Sequence, residues 1–92
     1  MRLYEIEQGE SIVFYVYILK NTKTNKFYIG YTSDLKRRYT KHKRNDQNFE
    51  LVYYEAYKAS KDARLREKRL KYFGKALAQL KRRIFHSLVI TS

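Results

Sequence analysis

The 92-residue sequence predicts a small α/β domain, a three-stranded, mainly antiparallel sheet with flanking helices in the order β-β-α-β-α-α. Three observations carry this fold class. Apolar β-branched and aromatic residues gather in short runs, SIVFYVYILK, KFYIGYT and FELVYYEAY, each too short for a helix of that apolarity. The first two runs are separated only by NTKTN, which suits a hairpin and is too short for a parallel crossover. The remaining long stretches are cation-rich and repeat their apolar residues at helical spacing, as helices do that lay one stripe on a sheet.

In order along the chain, residues 1–11 (MRLYEIEQGES) alternate charged and apolar positions and are taken as an N-terminal extension to a single domain, 12–92. Strand SIVFYVYILK, the turn cluster Asn21–Asn25 and strand KFYIGYT form the hairpin. Thr32, Ser33 and Asp34 supply N-cap chemistry for the helix DLKRRYTKHKR, which NDQN ends. Phe49–Tyr57 is the third strand. Ser60 is placed to cap KDARLREKRLKYF, with Asp62 in the first turn, where the helix dipole favours an anion. Gly74 breaks or bends that helix. KALAQLKRRIFHSL follows, with Leu77, Leu80 and Ile84 on one stripe.

Composition bounds the function. Hydrophobic residues make up 43% of the chain, enough to fold one modest core. With no cysteine, disulfides and thiolate metal sites are excluded, and a reducing compartment fits. The longest apolar run, Ile12–Leu19, is far short of the roughly 20 residues that span a bilayer, and the first residues lack the apolar segment of a signal peptide. A cytoplasmic protein with no membrane role is therefore expected. Lys and Arg number 21 against 9 acids, a formal net charge of +12. Such self-repulsion points to a polyanionic partner: DNA first, with RNA the second candidate. No particular protein partner is indicated.

Strand alternation sorts the hairpin. Phe14, Val16 and Ile18 share one face with Phe27, Ile29 and Tyr31, and that apolar face is nominated for the core. The other face gathers Tyr15, Tyr17, Tyr28, Gly30 and Thr32. A hairpin closing symmetrically around Thr22 and Lys23 makes Tyr17 and Tyr28 cross-strand partners. Gly30 weakens a strand interior and is best explained where something must approach the backbone closely.

On the following helix, Arg38 and His42 are four residues apart and share a face. Leu35 and Tyr39 form the stripe that packs on the sheet, which carries Arg38 and His42 at its edge. Lys36, Arg37, Lys41, Lys43 and Arg44 point outward as a cationic face for non-specific nucleic-acid contact. His86 has no partner at ligand spacing and is incidental.

Glu67 is out of place. Ala63, Leu70, Phe73, Gly74 and Leu77 define the core-facing stripe of the second helix, and Glu67 falls inside it, four after Ala63 and three before Leu70. A carboxylate there is costly to desolvate unless it is paired or binds a metal. Two explanations stand: an ion pair with Arg38 or Arg66, or a lone carboxylate ligand for Mg²⁺ or Mn²⁺, which keeps several waters and binds substrate phosphate alongside.

YVYIL, YIGYTSDLKRR, His42, ELVYYEAY and ARLREKRLK, in that order from about Phe14 to Lys71, resemble the GIY-YIG nuclease superfamily. The likeness is greatest to its small stand-alone members and to the N-terminal domain found in an excinuclease, which points toward DNA repair. The first motif is degenerate, Tyr15-Val16-Tyr17 standing where the family has Gly-Ile-Tyr, so its glycine is lost and its tyrosine kept. Many relatives also place an asparagine beyond the glutamate helix, and none occurs here after Asn48.

The resemblance implies a divalent-metal-dependent endonuclease that hydrolyses DNA phosphodiesters over the Tyr17, Tyr28 and Gly30 face. It assigns Arg38 to the phosphate oxygens, His42 to a supporting role and Glu67 to the Mg²⁺ or Mn²⁺. Tyr28, near Tyr17, would take the proton from the attacking water. A free tyrosine, with a pKa of about 10, needs nearby cations for that task. Gly30, Thr32, Lys36, Arg37, Lys41 and Arg44 would line the nucleic-acid path. The alternative is a nucleic-acid-binding module of the same fold with little or no catalysis.

Overall fold

The computed structural model describes residues 12–89; the expected N-terminal extension, 1–11, lies outside them, as do residues 90–92. Strands β1 (Phe14–Asn21), β2 (Phe27–Thr32) and β3 (Phe49–Tyr57) form an antiparallel sheet in the order β2-β1-β3. Helices α1 (Leu35–Asn45), α2 (Ser60–Tyr72), α3 (Gly74–Arg83) and α4 (Phe85–Val89) flank it. The element order matches the sequence expectation, except that the last expected helix is divided at Ile84, which leaves helical dihedrals (φ −109°, ψ 27°). Among the described residues no helix is long and apolar enough to cross a membrane.

The apolar face is the core. Val16, Ile18 and Ile29 pack against Ala63 and Leu70 of α2 and Leu80 of α3, with Phe14, Phe27 and Tyr31 around them. Leu77 and Ile84 also pack there. Phe73 does not: it takes an extended conformation between α2 and α3 and is 59% exposed, because the helical phase that would have buried it stops at Tyr72.

The hairpin register departs from expectation by two residues. Tyr17 pairs with Gly30, and Tyr28 pairs with Leu19. The cause is Asn21, whose Oδ1 accepts the N–H groups of Lys23 and Thr24, both at 3.0 Å. That holds open a loop over 22–25, which Asn25 closes with a left-handed φ of 62°, a conformation asparagine tolerates better than most residues. The Asn21 amide also donates to Asp46 Oδ2 at 2.9 Å, tying the loop to the end of α1. A two-residue shift keeps the strand period, so every side chain stays on its expected face.

On β3 a bulge intervenes. Ile18 pairs with Tyr53 but Leu19 with Leu51, so Val52 is the extra residue. Beyond it Phe49 and Leu51 share the face of Tyr17, while Tyr53, Glu55 and Tyr57 share that of the core.

Asp34 caps α1 as expected, its Oδ1 accepting the Arg37 N–H at 3.1 Å. Ser60 does not cap α2. Ala59 holds that position, and the Ser60 hydroxyl is instead 2.7 Å from the Tyr31 hydroxyl of β2. The α1 helix crosses the face opposite the core, where Leu35 and Tyr39 are half-buried. Tyr39 and Lys43 both reach Glu50 of β3, so Lys43, expected to face solvent, serves the packing of α1.

Candidate active site

The fold assembles a ring cluster where α1 meets the sheet. Tyr17 from β1, Tyr28 from β2 and Phe49 from β3 gather around His42 from α1, with Tyr28 also touching Tyr17 and Phe49, at centroid distances of 4.7 to 6.4 Å. Tyr17 is fully buried and Tyr28 is 40% exposed. Gly30 explains how they fit. A Cβ there would collide with Cζ and the hydroxyl of Tyr17, so the close approach its absence permits is that of the Tyr17 ring. The expected cross-strand pairing of the two tyrosines is replaced by ring contact at 6.2 Å, reached because Tyr17 lies over Gly30 toward Tyr28.

The Tyr17 hydroxyl is 3.0 Å from His42 Nε2. Burial pushes the Tyr17 phenol well above its ordinary pKa, the Tyr28 phenol and the Glu67 carboxylate add to the rise, and the Arg38 guanidinium offsets only part. Burial holds His42 below the usual histidine value, and the charges of Arg38 and Lys41 push the same way. The imidazole is therefore neutral near pH 7, and its Nε2 and the Tyr17 hydroxyl share one hydrogen bond. Tyr28, Arg38, His42 and Glu67, from three elements besides β1, all act on the one Tyr17 phenol.

Arg38 is exposed and lines a cavity of about 260 Å³ with Thr32, Ser33, Asp34, Arg37 and Lys41. Thr32 is buried, its hydroxyl accepting the Asp34 N–H at 3.0 Å, so it shapes the cavity floor. Lys36, Arg37, Lys41 and Arg44 are exposed and line a second, outer cavity along α1, of about 590 Å³.

Glu67 is half-buried, its side chain 22% exposed, between the buried Ala63 and Leu70. Neither expected arginine holds it. Arg66 pairs with Glu55, and Glu67 Oε2 lies 3.2 Å from Lys71 Nζ on the next turn of α2. The reason is topological: Glu55, on the core face of β3, offers Arg66 a carboxylate already fixed by the Tyr53 and Tyr57 hydroxyls.

Sequence reasoning did not single out two participants. Phe49 joins the rings only because of the bulge, which no local pattern announces. Lys71 was legible, since glutamate followed four residues later by lysine on a helix pairs readily.

The profile of the GIY-YIG catalytic domain matches residues 13–80. No curated protein and no solved structure matches the chain. That matched span covers the sheet, the ring cluster, Arg38 and Glu67, and the family is one of nucleases that act on DNA with divalent metal ions. The chain belongs to the GIY-YIG family.

Proposed function

We propose that the chain is a divalent-metal-dependent endonuclease hydrolysing DNA phosphodiesters, with Tyr28 as general base and Glu67 as its one carboxylate ligand to metal. One observation carries this: Tyr28, Arg38, His42 and Glu67 all bear electrostatically or by hydrogen bond on the buried Tyr17 phenol. Of the two phenols, burial keeps Tyr17 protonated. Tyr28, 40% exposed beside it, is the hydroxyl that water and substrate can reach. The Tyr17–His42 hydrogen bond fixes the rings against which Tyr28 rests.

Glu67 fits a metal of the expected kind. Among the described residues no three His, Cys, Asp or Glu gather as a ligand cage. A lone carboxylate suits Mg²⁺ or Mn²⁺, whose remaining positions are filled by water and substrate phosphate. Its only ion-pair partner among the described residues, Lys71, is 39% exposed and joined by a one-turn helical contact. Such pairs contribute about 0.3–0.5 kcal/mol and yield readily. When bound there, the cation supplies Lewis-acid stabilisation to the 3′-oxygen that leaves.

In the proposed reaction, Tyr28 as its phenolate accepts a proton from water as the water oxygen bonds to phosphorus and the bond to the 3′-oxygen breaks, the leaving oxygen taking a proton from solvent water. Arg38 forks onto the non-bridging oxygens, where charge accumulates. Lys36, Arg37, Lys41 and Arg44 hold the flanking backbone, which carries affinity rather than chemistry. Purified protein should nick supercoiled plasmid in Mg²⁺ or Mn²⁺ and stop in EDTA, and Tyr28→Phe should lose most of that activity while binding DNA normally. Binding without metal-dependent nicking would instead identify a nucleic-acid-binding module of this fold.

A further inference from the structure

The site face of the sheet is covered unevenly. Its rungs run Tyr28–Leu19–Leu51, Gly30–Tyr17–Tyr54 and Thr32–Tyr15–Ala56 from β2 across to β3. Leu19 and Tyr17 are fully buried, whereas Tyr54, beside Tyr17 on the same rung, is 47% exposed and Ala56 is exposed. Tyr15 meets the Tyr54 ring edge-to-face, with centroids 5.9 Å apart and planes at 68°. A lone surface tyrosine on a strand is ordinary. Two tyrosines in contact, one of them half open and one strand from the most buried phenol of the site, form an aromatic patch at its rim in which the Tyr15 ring props that of Tyr54.

Its surroundings indicate what lies on it. At about 4.8 Å per strand the rung from Gly30 to Tyr54 is about 10 Å wide, so a strand of DNA passing the exposed Tyr28 on β2 reaches Tyr54 on β3 with an adjacent nucleotide. The inner cavity, lined by Thr32 on the rung of Tyr15 and by Arg37, Arg38 and Lys41 of α1, offers cations for the backbone. A cationic track beside aromatic rings is the combination that holds single-stranded nucleic acid, because every base has a π-face. In a duplex both faces of each base are covered by neighbouring pairs. A ring rising from a sheet stacks only on a base splayed out of the helix.

We propose that Tyr54, backed by Tyr15, is a stacking platform for an unpaired base next to the scissile phosphate, so that the preferred substrate is DNA single-stranded at the point of cutting. This rests on the nuclease reading above for where the strand lies, but its test requires no turnover.

The experiment uses the full chain in EDTA, with a 12-nucleotide single strand carrying one 2-aminopurine and a matched duplex. The platform predicts that binding quenches 2-aminopurine fluorescence in the single strand. Tyr54→Ala should weaken single-strand binding about tenfold and relieve the quenching. It should change duplex binding less than twofold. Tyr54→Phe, which keeps the ring, should behave as wild type. Unchanged single-strand affinity in Tyr54→Ala would overturn the proposal, as would equal losses on both DNAs or a Tyr54→Phe defect as large as that of Tyr54→Ala. Plasmid nicking in Mg²⁺ judges the nuclease reading separately: an inert protein with Tyr54-dependent quenching loses the chemistry and keeps the platform.

Discussion

Two glutamates on opposite sides of the α2–sheet contact show how similar positions acquire different duties. Glu55 is nearly enclosed, 14% exposed, and both its oxygens are engaged: Arg66 Nε and Nη2 donate to them at 3.0–3.2 Å, and the Tyr53 and Tyr57 hydroxyls donate as well. Burial pushes this carboxyl up, but the donors from Arg66, Tyr57 and Tyr53 outweigh it and hold it below the usual glutamate value. Glu67 is one residue from Arg66 in sequence yet, among the described residues, has only the partly exposed Lys71. A carboxylate whose lone pairs are already filled is a structural part. One with spare lone pairs at the edge of a core is open to a ligand, and the electrostatic difficulty of burying it is left for that ligand to relieve.

The comparison breaks most visibly through Glu67→Gln. Losing a metal that contributes several kcal/mol of charge stabilisation should lower cleavage at least about a hundredfold. Melting in EDTA should shift by less than about 0.5 kcal/mol, the size of an exposed helical pair. A loss of about 3–5 kcal/mol, as for a broken buried pair, would make Glu67 structural.

Glu55→Gln should show the reverse: near-normal cleavage per folded molecule, with a loss of about 2 kcal/mol, or roughly 8–16 °C in Tm for a domain of this size. Its pH signature follows from the lowered pKa. The folded state binds this proton less tightly than the unfolded chain, so the Glu55 contribution is complete above the unfolded value of 4.5 and disappears as pH falls through the folded one. Wild type should therefore lose more stability on acidification than the mutant does.

His42 sharpens the contrast from the site side. NMR should place its titration midpoint below 6.5, with Arg38→Ala moving it upward by removing a repelling cation. Because the folded pKa is the lower one, the stability linked to neutral His42 is complete above 6.5 and falls with pH below it. The smallest effect belongs to the outer helix face. Arg37→Ala with Lys41→Ala should flatten the salt dependence of duplex binding by about 1.8, two phosphates at about 0.9 each, whatever the sequence.

What could be read in advance was what depends on neighbours in the chain. The strand faces follow from a two-residue period, the α1 cap from Asp34, and the oddity of Glu67 from helical spacing, and all three appear in the structure. What escaped depends on contacts across the fold. The hairpin register turns on the Asn21 side chain, which holds both its own loop and Asp46. The partner of Glu67 turns on Arg66 being drawn to Glu55, eleven residues away on a strand whose facing is decided by the bulge. Gly30 does answer a demand for close approach, but the visitor is a side chain of the same protein.

That bulge gives the length of β3 a meaning separate from its composition. With Val52 present, Phe49 and Leu51 turn to one side of the sheet and Tyr53, Glu55 and Tyr57 to the other. Were all nine residues of β3 to run as a regular strand with no bulge, Phe49 and Glu55, six apart, would fall on the same side and only one of those placements could hold. Either Phe49 leaves the rings around His42, or Glu55 leaves Arg66. Deleting Val52 should therefore leave Phe49 and Glu55 on their own sides, because an odd separation in a regular strand does what the bulge does with an even one; the length of β3 is free to change by that one residue where its faces are not.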